Sequence, residues 1–195
     1  MKRIMTVCAS LLALTLLWSV PVLAVSVGFE SASATVGLGD SFSVDVVVSD
    51  LGSDIVSAFD MDATYDPTVI AATDVTFGPM LGGGLPSSLQ ASDVSSPGVV
   101  DFREVSLLGD SALNSVQSGN DSFTLATLSF DAVGLGTSQL GFVFDEWNDI
   151  KGSDNMILQT DPGTGTVNVV PIPGAVWLFA SGLVGLAGIR RKLRG

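Results

Sequence analysis

Carboxylates are almost the only side chains in this sequence that could perform acid–base or nucleophilic chemistry. The 195 residues include 20 acidic residues, no histidine and one cysteine, Cys8. The usual general base and thiol nucleophile are therefore missing beyond Cys8. Carboxylate pairs remain, as in glycosidases, and the candidates are Asp60 with Asp62 and Asp145 with Glu146. Strand residues two apart usually only solvate the wet face of a sheet, so we expect no catalytic residue and no enzyme activity.

Oxygen-bearing side chains are dense between residues 145 and 155, which raises the question of calcium. Ca²⁺ takes several oxygen ligands, and Asp145, Asp149 and Asp154 could supply them. The segment does not fit an EF-hand loop, because Trp147 and Lys151 stand where an oxygen ligand or the turn glycine is needed. The sequence therefore assigns no metal ligand. A nonstandard calcium site with these three aspartates is the one cofactor hypothesis.

Trp147 is the one tryptophan between the two ends of the chain, and it lies among acids and an amide. An indole ring can stack on a sugar, so Trp147 is a candidate glycan contact. Tryptophan is also common in the core or at the rim of a β-sandwich, and the sequence favours that interpretation.

Charge is distributed very unevenly along the chain. All 20 acidic residues lie between Glu30 and Asp161, where Arg103 and Lys151 are the only basic residues. This region has a net charge of −18, although the whole chain has −12. A surface this negative repels nucleic acid and anionic lipid headgroups, so we expect no nucleic-acid partner. It suits a soluble domain that meets divalent cations or a basic partner.

The N-terminus has the three parts of a secretory signal. Two basic residues open the chain, residues 4–18 are almost wholly apolar, and Ala24 ends a small-residue cleavage site. We expect residues 1–24 to be removed by a cut before Val25, and the rest to be exported across the inner membrane. The alternative is a buried or anchoring helix, which Pro21 disfavours because proline interrupts a helix.

The C-terminus combines a proline pair, a short apolar stretch and a basic cluster. Residues 174–189 carry no charge and would form a helix of about 24 Å, slightly short of a hydrocarbon core of about 30 Å. The basic residues after it should stay in the cytoplasm. This orientation places the acidic region outside, on a precursor anchored in the inner membrane by a transmembrane helix.

These three parts, in this order, resemble the PEP-CTERM sorting signal of Gram-negative bacteria, in its Val-Pro-x-Pro variant. The resemblance implies processing by an exosortase, often in species that make extracellular polysaccharide, and a final location at the cell surface or outside the cell. Ile172 stands where the name-giving motif has glutamate, which leaves the sortase subtype open. A simple tail anchor is the alternative. The residues that carry the resemblance are Pro171, Pro173, Trp177, Arg190, Arg191 and Lys192.

Between the two ends, residues 25–168 have the pattern of one all-β domain. Apolar side chains recur at every second position in residues 42–48 and 59–65, so one face of each strand should be buried and the other wet. Turn residues separate such runs, as in a β-sandwich. Residues 80–93 and 109–121 are expected to be loops. The predicted strands are 25–35, 41–49, 55–65, 69–77, 98–107, 122–133, 137–145 and 164–170.

Three segments are similar to cohesin-like domains. Residues 36–46 look like the opening strand pair of that family, residues 58–70 look like its strand-turn segment with Tyr-Asp-Pro at the turn, and residues 125–132 resemble a later core strand. The resemblance implies a single jelly-roll β-sandwich of about nine strands, related to carbohydrate-binding modules. Because the best-known cohesins bind dockerins, it also implies a dockerin-like protein or an extracellular polysaccharide as partner. A sorting and transmembrane tail would follow at 169–195.

Three functions remain open. The first is an exported, exosortase-processed surface or matrix protein whose cohesin-like domain binds protein or polysaccharide without catalysis. The second is a secreted carbohydrate-active enzyme or an accessory carbohydrate-binding module. The third is a purely structural envelope protein. The absence of histidine and of a clear acidic pair counts against the second.

The tail assignment predicts the mature C-terminus. In cells with an active exosortase, mass spectrometry of the mature protein should show no residues 190–195, because the sorting signal is cleaved before them. In matched cells that lack the sortase, the same residues should be retained. A mature form that keeps residues 190–195 while the sortase is active would overturn the assignment.

Overall fold

A computed structural model of the chain describes residues 24–30, 33–143 and 149–171. These residues form twelve strands and one α-helix. The elements are β1 (Val25–Phe29), β2 (Ser33–Gly37), β3 (Ser41–Ser49), β4 (Ala58–Thr64), β5 (Ile70–Phe77), β6 (Ser88–Asp93), β7 (Val99–Ser106), α1 (Asp110–Gln117), β8 (Phe123–Ala132), β9 (Gly136–Val143), β10 (Ile150–Lys151), β11 (Thr160–Pro162) and β12 (Gly165–Val170).

The strands form two sheets. The first, sheet 1, has the order β11-β1-β3-β8-β5, and the second, sheet 2, has the order β2-β12-β9-β4-β7-β6. The short strand β10 pairs with the start of β4, on the edge that β9 leaves free. Two pairs are parallel, β1 with β11 and β2 with β12, and the other pairs are antiparallel. The first two strands of the domain therefore pair with the last two, one pair in each sheet.

Aromatic rings from the two sheets pack against each other in the core. Phe29 of sheet 1 stacks on Phe142 of sheet 2, with ring centroids 4.4 Å apart. Phe77 of sheet 1 packs on Phe59 of sheet 2, with centroids 6.2 Å apart. The strands that supply these rings alternate buried and less buried residues, as in β4, where Phe59, Met61 and Ala63 are buried. The predicted β-sandwich is confirmed, with one short helix, α1, in addition to its strands.

The sandwich has four strands more than the eight predicted from the sequence. The predicted strand 25–35 is wrong as one unit, because the chain leaves sheet 1 after β1 and enters sheet 2 as β2. The predicted loop 80–93 is wrong in its second half, which forms β6. This edge strand exposes five of its six residues and so lacks the alternation that marks a half-buried strand. β10 and β11 have only two and three residues.

The second predicted loop, 109–121, is also wrong, because it contains α1. The helix buries only Leu113 and Gln117, one turn apart, which is too little apolar surface to give a helical pattern in the sequence. Gln117 is buried and its side-chain amide bonds to the backbone of Val56. Its Oε1 accepts from the Val56 N–H at 2.9 Å, and its Nε2 donates to the Val56 carbonyl at 2.8 Å. One side chain thus takes the place of a neighbouring strand for Val56.

The predicted signal helix and transmembrane tail lie outside the described residues, apart from their inner ends. Ala24 is exposed and Val25 begins β1, while the exposed Pro171 follows β12. In residues 24–30, 33–143 and 149–171, no helix is both long and apolar enough to cross a membrane.

Replacing the buried amide should destabilise the domain. We expect Gln117→Leu to lower the free energy of unfolding by about 2–4 kcal/mol, because both backbone groups of Val56 lose their partners while remaining buried. Asn114→Leu, an exposed position on the same helix, should change it by less than about 0.5 kcal/mol. Urea denaturation of the two variants measures the difference, and equal losses would contradict the role of Gln117.

Candidate functional site

The outward face of β9, β4, β7 and β6 gathers an unusual set of side chains, and we call it the charged face. On β4 it presents Asp60 and Asp62, because the residues between and beside them point into the core. β7 adds Asp101, Arg103 and Val105 by the same alternation. The remaining members of the charged face are Leu89, Ala91 and Asp93 on β6, Val143 on β9, and Asp149 and Lys151 beside β4.

The strand register sorts these residues into rows. Asp62 lies opposite Asp101, which lies opposite Asp93, so one row across the sheet holds three aspartates. In the next row Asp60 lies opposite Arg103. Like charges directly opposite each other on a sheet are destabilising. The row of three aspartates therefore does not serve the stability of the sheet.

Both basic residues of the acidic region lie on this one face. The Arg103 guanidinium is 3.5 Å from an Asp101 carboxylate oxygen, and the Lys151 ammonium is 3.9 Å from an Asp149 carboxylate oxygen. Ion pairs at a protein surface contribute little to stability. With five aspartates and two cations, the charged face keeps a net negative charge but offers donors as well as acceptors to a partner.

The carboxyl of Asp60 is destabilised in its ionised form by burial and by neighbouring carboxylates. Partial burial raises the pKa of Asp60 above its ordinary value of 3.8, and repulsion from Asp101 raises it further. The positive charge of Arg103 lowers the pKa but does not cancel these effects, to which Asp62 and Asp149 add. A raised carboxyl pKa means that the ionised form costs stability in the folded state at neutral pH.

An apolar area adjoins the acidic rows on the same face. Leu89 lies opposite Val105, and the two side chains are 52% and 46% exposed. Leu107, 54% exposed, continues the pairing of the two strands, since its N–H donates to the Ser87 carbonyl at 2.8 Å. The charged face thus has an acidic end and an apolar end, both presented by the outward surface of one sheet.

The buried carboxylate of Glu104, on the inner side of the sheet, holds the edge strand β6 in place. Glu104 is only 1% exposed and points into the sandwich, on the opposite side of β7 from Arg103. Its Oε1 accepts hydrogen bonds from the Ser88 hydroxyl at 2.6 Å and from the Gln90 side-chain amide at 2.9 Å. Within the described residues its Oε2 has no hydrogen-bond partner. These bonds hold β6, and with it Leu89, against β7.

The structure places the site residues predicted from the sequence in different parts of the domain. Asp60 and Asp62 do share one strand and one face. Asp149 lies on the charged face, whereas Asp154 lies in a turn, where its N–H donates to an Asp110 carboxylate oxygen at 3.1 Å. In the described parts of the chain no group of three or more acidic, histidine or cysteine side chains is placed to hold a metal. The calcium hypothesis stays a prediction, since Asp145 lies outside the described residues.

The other predicted site residues also lie outside the described residues. They are the candidate glycan contact Trp147, the carboxylate Glu146, and the sorting-signal residues Pro173, Trp177, Arg190, Arg191 and Lys192.

Sequence reasoning missed most members of the charged face. Arg103 was visible as one of two isolated cations, but nothing in the sequence placed it beside Asp60. Leu89 falls in the predicted loop 80–93. The available signal is the rarity of positive charge in the acidic region, where Arg103 and Lys151 are the two basic residues.

Comparison with known proteins gives two findings. The family model of the cohesin domain matches residues 25–138. No curated protein matches the chain.

Solved structures show the same fold at low identity. A cohesin module from a family 33 glycoside hydrolase of Clostridium perfringens superposes with a TM-score of 0.58 and 12% identity, covering 77% of this chain and 99% of the module. A non-cellulosomal cohesin from the archaeon Archaeoglobus fulgidus gives 0.56 and 16%, covering 78% and 95%. A type I cohesin–dockerin complex from Clostridium thermocellum gives 0.55 and 13%, covering 75% and 95%.

At these identities the structural likeness shows the fold alone, but the family model spans more than half of the chain. The chain belongs to the cohesin family, and its two-sheet sandwich agrees with that assignment.

Proposed function

We propose that this chain is an exported binding protein whose charged face docks a partner protein of the dockerin class. The observation that carries the proposal is the composition of that face. It gathers both cations of the acidic region, five aspartates and an exposed pair of apolar side chains on the outward surface of one sheet. Interfaces of specific complexes combine such an apolar centre with charged groups that fix orientation.

The charges and the apolar area together describe the partner. The net negative acidic end favours a surface with lysine or arginine side chains, and Arg103 and Lys151 can each donate to an acceptor on the partner. The apolar end of Leu89, Val105 and Leu107 fits aliphatic or aromatic side chains. A helix with apolar residues on one part of its surface and basic residues on another would satisfy both ends at once.

Similar structures that were solved as complexes support a dockerin-like partner. Several of the similar structures are cohesins in complex with dockerins, including two from Clostridium thermocellum. Even the relative from Clostridium perfringens, which comes from a glycoside hydrolase, is described as its cohesin module. We therefore propose a binding role without catalysis for this domain.

Export and sorting form the second half of the proposal. The family match and β1 both begin at Val25, the first residue after the expected signal cleavage. β12 ends at Val170, directly before the proline pair of the sorting signal. These boundaries support a signal before the domain, and an exosortase-processed tail after it that delivers the domain to the cell surface or its surroundings.

The docking face can be tested with two leucines of almost equal exposure. Leu89, on the charged face, is 52% exposed, and Leu135, in the turn between β8 and β9, is 54% exposed. We expect Leu89→Asp to weaken partner binding at least about tenfold, since it places a charge in the apolar area. Leu135→Asp should bind within about twofold of the unmodified protein.

The binding measurement uses a panel of dockerin modules, including those of the Clostridium thermocellum complexes, and capture of partners from the secreted proteins of the producing cells. Binding is measured by surface plasmon resonance. A partner that binds both aspartate variants equally well would show that docking occurs elsewhere on the domain.

If Asp60 serves binding, its ionised carboxylate should lower the stability of the folded domain. We expect Asp60→Asn to raise the melting temperature at pH 7, because it removes a carboxylate whose pKa is raised in the folded state. The gain should disappear as the pH falls below about 3.8, where the carboxyl is protonated in both states.

Asp66 supplies a control of opposite sign. Hydrogen bonds from the Thr68 hydroxyl and N–H hold the pKa of Asp66 below its ordinary value, so its carboxylate stabilises the fold at neutral pH. Asp66→Asn should therefore lower the melting temperature at pH 7, and the loss should fade as the pH falls through the depressed pKa of Asp66. A loss of stability in Asp60→Asn at pH 7 would contradict the inference that the ionised Asp60 carboxylate destabilises the fold.

A further inference from the structure

A cleft of about 630 Å³ lies on the outward face of sheet 1, on the opposite side of the sandwich from the charged face. We call it the β1 cleft. Its volume is in the range of about 300–1,000 Å³ that is usual for small-ligand sites. Its outward-facing lining residues include Ser26 and Gly28 of β1, Val47 and Ser49 of β3, Thr124 of β8 and Asp161 of β11.

The cleft exists because of local departures from a regular sheet. Gly28 has no side chain in the middle of β1, and a Cβ at this position would have no other atom within 4 Å. The pairing of β3 with β8 shifts register between Val46 and Val47, and such a bulge increases the local twist. One wall is fixed by the Gly163 N–H, which donates to the Val27 carbonyl at 2.6 Å.

The hydroxyl groups of this sheet face are used differently in its two halves. Away from the cleft they bond to each other across strands: Ser41 donates to Asp131 at 2.6 Å, and Ser43 lies 3.3 Å from Ser129. Inside the cleft, Ser26, Ser122 and Thr124 have no side-chain partner among the described residues. The cleft therefore presents hydroxyl groups that are available to a ligand.

The charge of the cleft is wholly negative. Glu30 and Asp161, both exposed, belong to its lining. The described residues contain two basic side chains, Arg103 and Lys151, and both lie on the charged face of sheet 2. Acidic ligands are therefore repelled, while hydroxyl and amino groups can donate to the two carboxylates.

We propose that the β1 cleft binds a glycan chain that lacks acidic groups, with a preference for amino sugars. Free hydroxyls on the floor can exchange hydrogen bonds with sugar hydroxyls, and Glu30 and Asp161 accept from sugar hydroxyl or ammonium groups. No aromatic ring is exposed on the floor, since its two phenylalanines, Phe29 and Phe123, are each only 7% exposed. Binding of a single short chain is then weak, and a polymer gains by repeated contacts. Because the cleft and the charged face are on different sheets, a glycan and a protein partner can be bound together.

The test compares three probes by NMR titration of the domain: a neutral β-glucan oligosaccharide, a chitosan oligosaccharide and an oligogalacturonate. We expect the first two to shift resonances of β1, β3 and β8, with the chitosan oligomer binding at least about threefold more tightly, and the oligogalacturonate to shift none. Gly28→Ile adds a side chain to the floor of the cleft, where a Cβ meets no other atom within 4 Å, and should weaken binding at least about tenfold. Ser43→Ile, on the same face outside the cleft, should leave binding within about twofold.

The outcomes separate clearly. Localised shifts that are lost in Gly28→Ile and kept in Ser43→Ile support the proposal. The proposal is overturned if neither the neutral nor the amino oligosaccharide binds, if the acidic one binds as well as they do, or if Gly28→Ile binds normally. Thermal unfolding of Gly28→Ile checks that the fold is intact, and a misfolded variant is replaced by Gly28→Ala with the same criterion at a smaller, about threefold, effect. Leu89→Asp should bind the glycan normally, so failure here is distinguishable from failure of the docking proposal.

Discussion

Contact between the two sheets through phenylalanine rings is the constraint on which the rest of the domain depends. The described residues contain no cysteine, so within them packing rather than a disulfide joins the sheets. Phe29 against Phe142 and Phe59 against Phe77 fix which side of each strand faces inward. A slip of one residue would turn every side chain of a strand to the other face. The outward position of Asp60 is thus a direct consequence of the inward position of Phe59.

The two outer faces of the sandwich differ in how their polar side chains are paired across strands. Much of sheet 1 pairs hydroxyls with carboxylates, as Ser41 does with Asp131, and such pairs satisfy each other. Sheet 2 instead places aspartates opposite aspartates and leaves apolar side chains in solvent. Proteins tolerate local costs of this kind mainly where a surface has a task. This contrast, more than any single residue, is why we propose the charged face as the docking surface.

The sequence predicts well what depends on neighbours along the chain. Alternation marks β3, β4 and β8 because each buries one face, and it places Asp60 and Asp62 together. It cannot reveal β6, which is held by pairing with β7 and by the buried Glu104 rather than by apolar residues of its own. It also cannot place Arg103 beside Asp60, since these residues meet only through a register between strands some 40 positions apart. Helix α1 was missed because its anchor is an amide, Gln117, and not an apolar stripe.

The position of β12 has a mechanical consequence. This last strand lies between β2 and β9 and is hydrogen-bonded to both, so the backbone that leaves the domain at Pro171 emerges from the interior of a sheet rather than from its edge. A force applied there along the strand loads the hydrogen bonds of both ladders together in shear, and passes through β9 to β4, which carries Asp60. A partner held on the charged face and a tether at the C-terminus would therefore pull against one continuous set of strands.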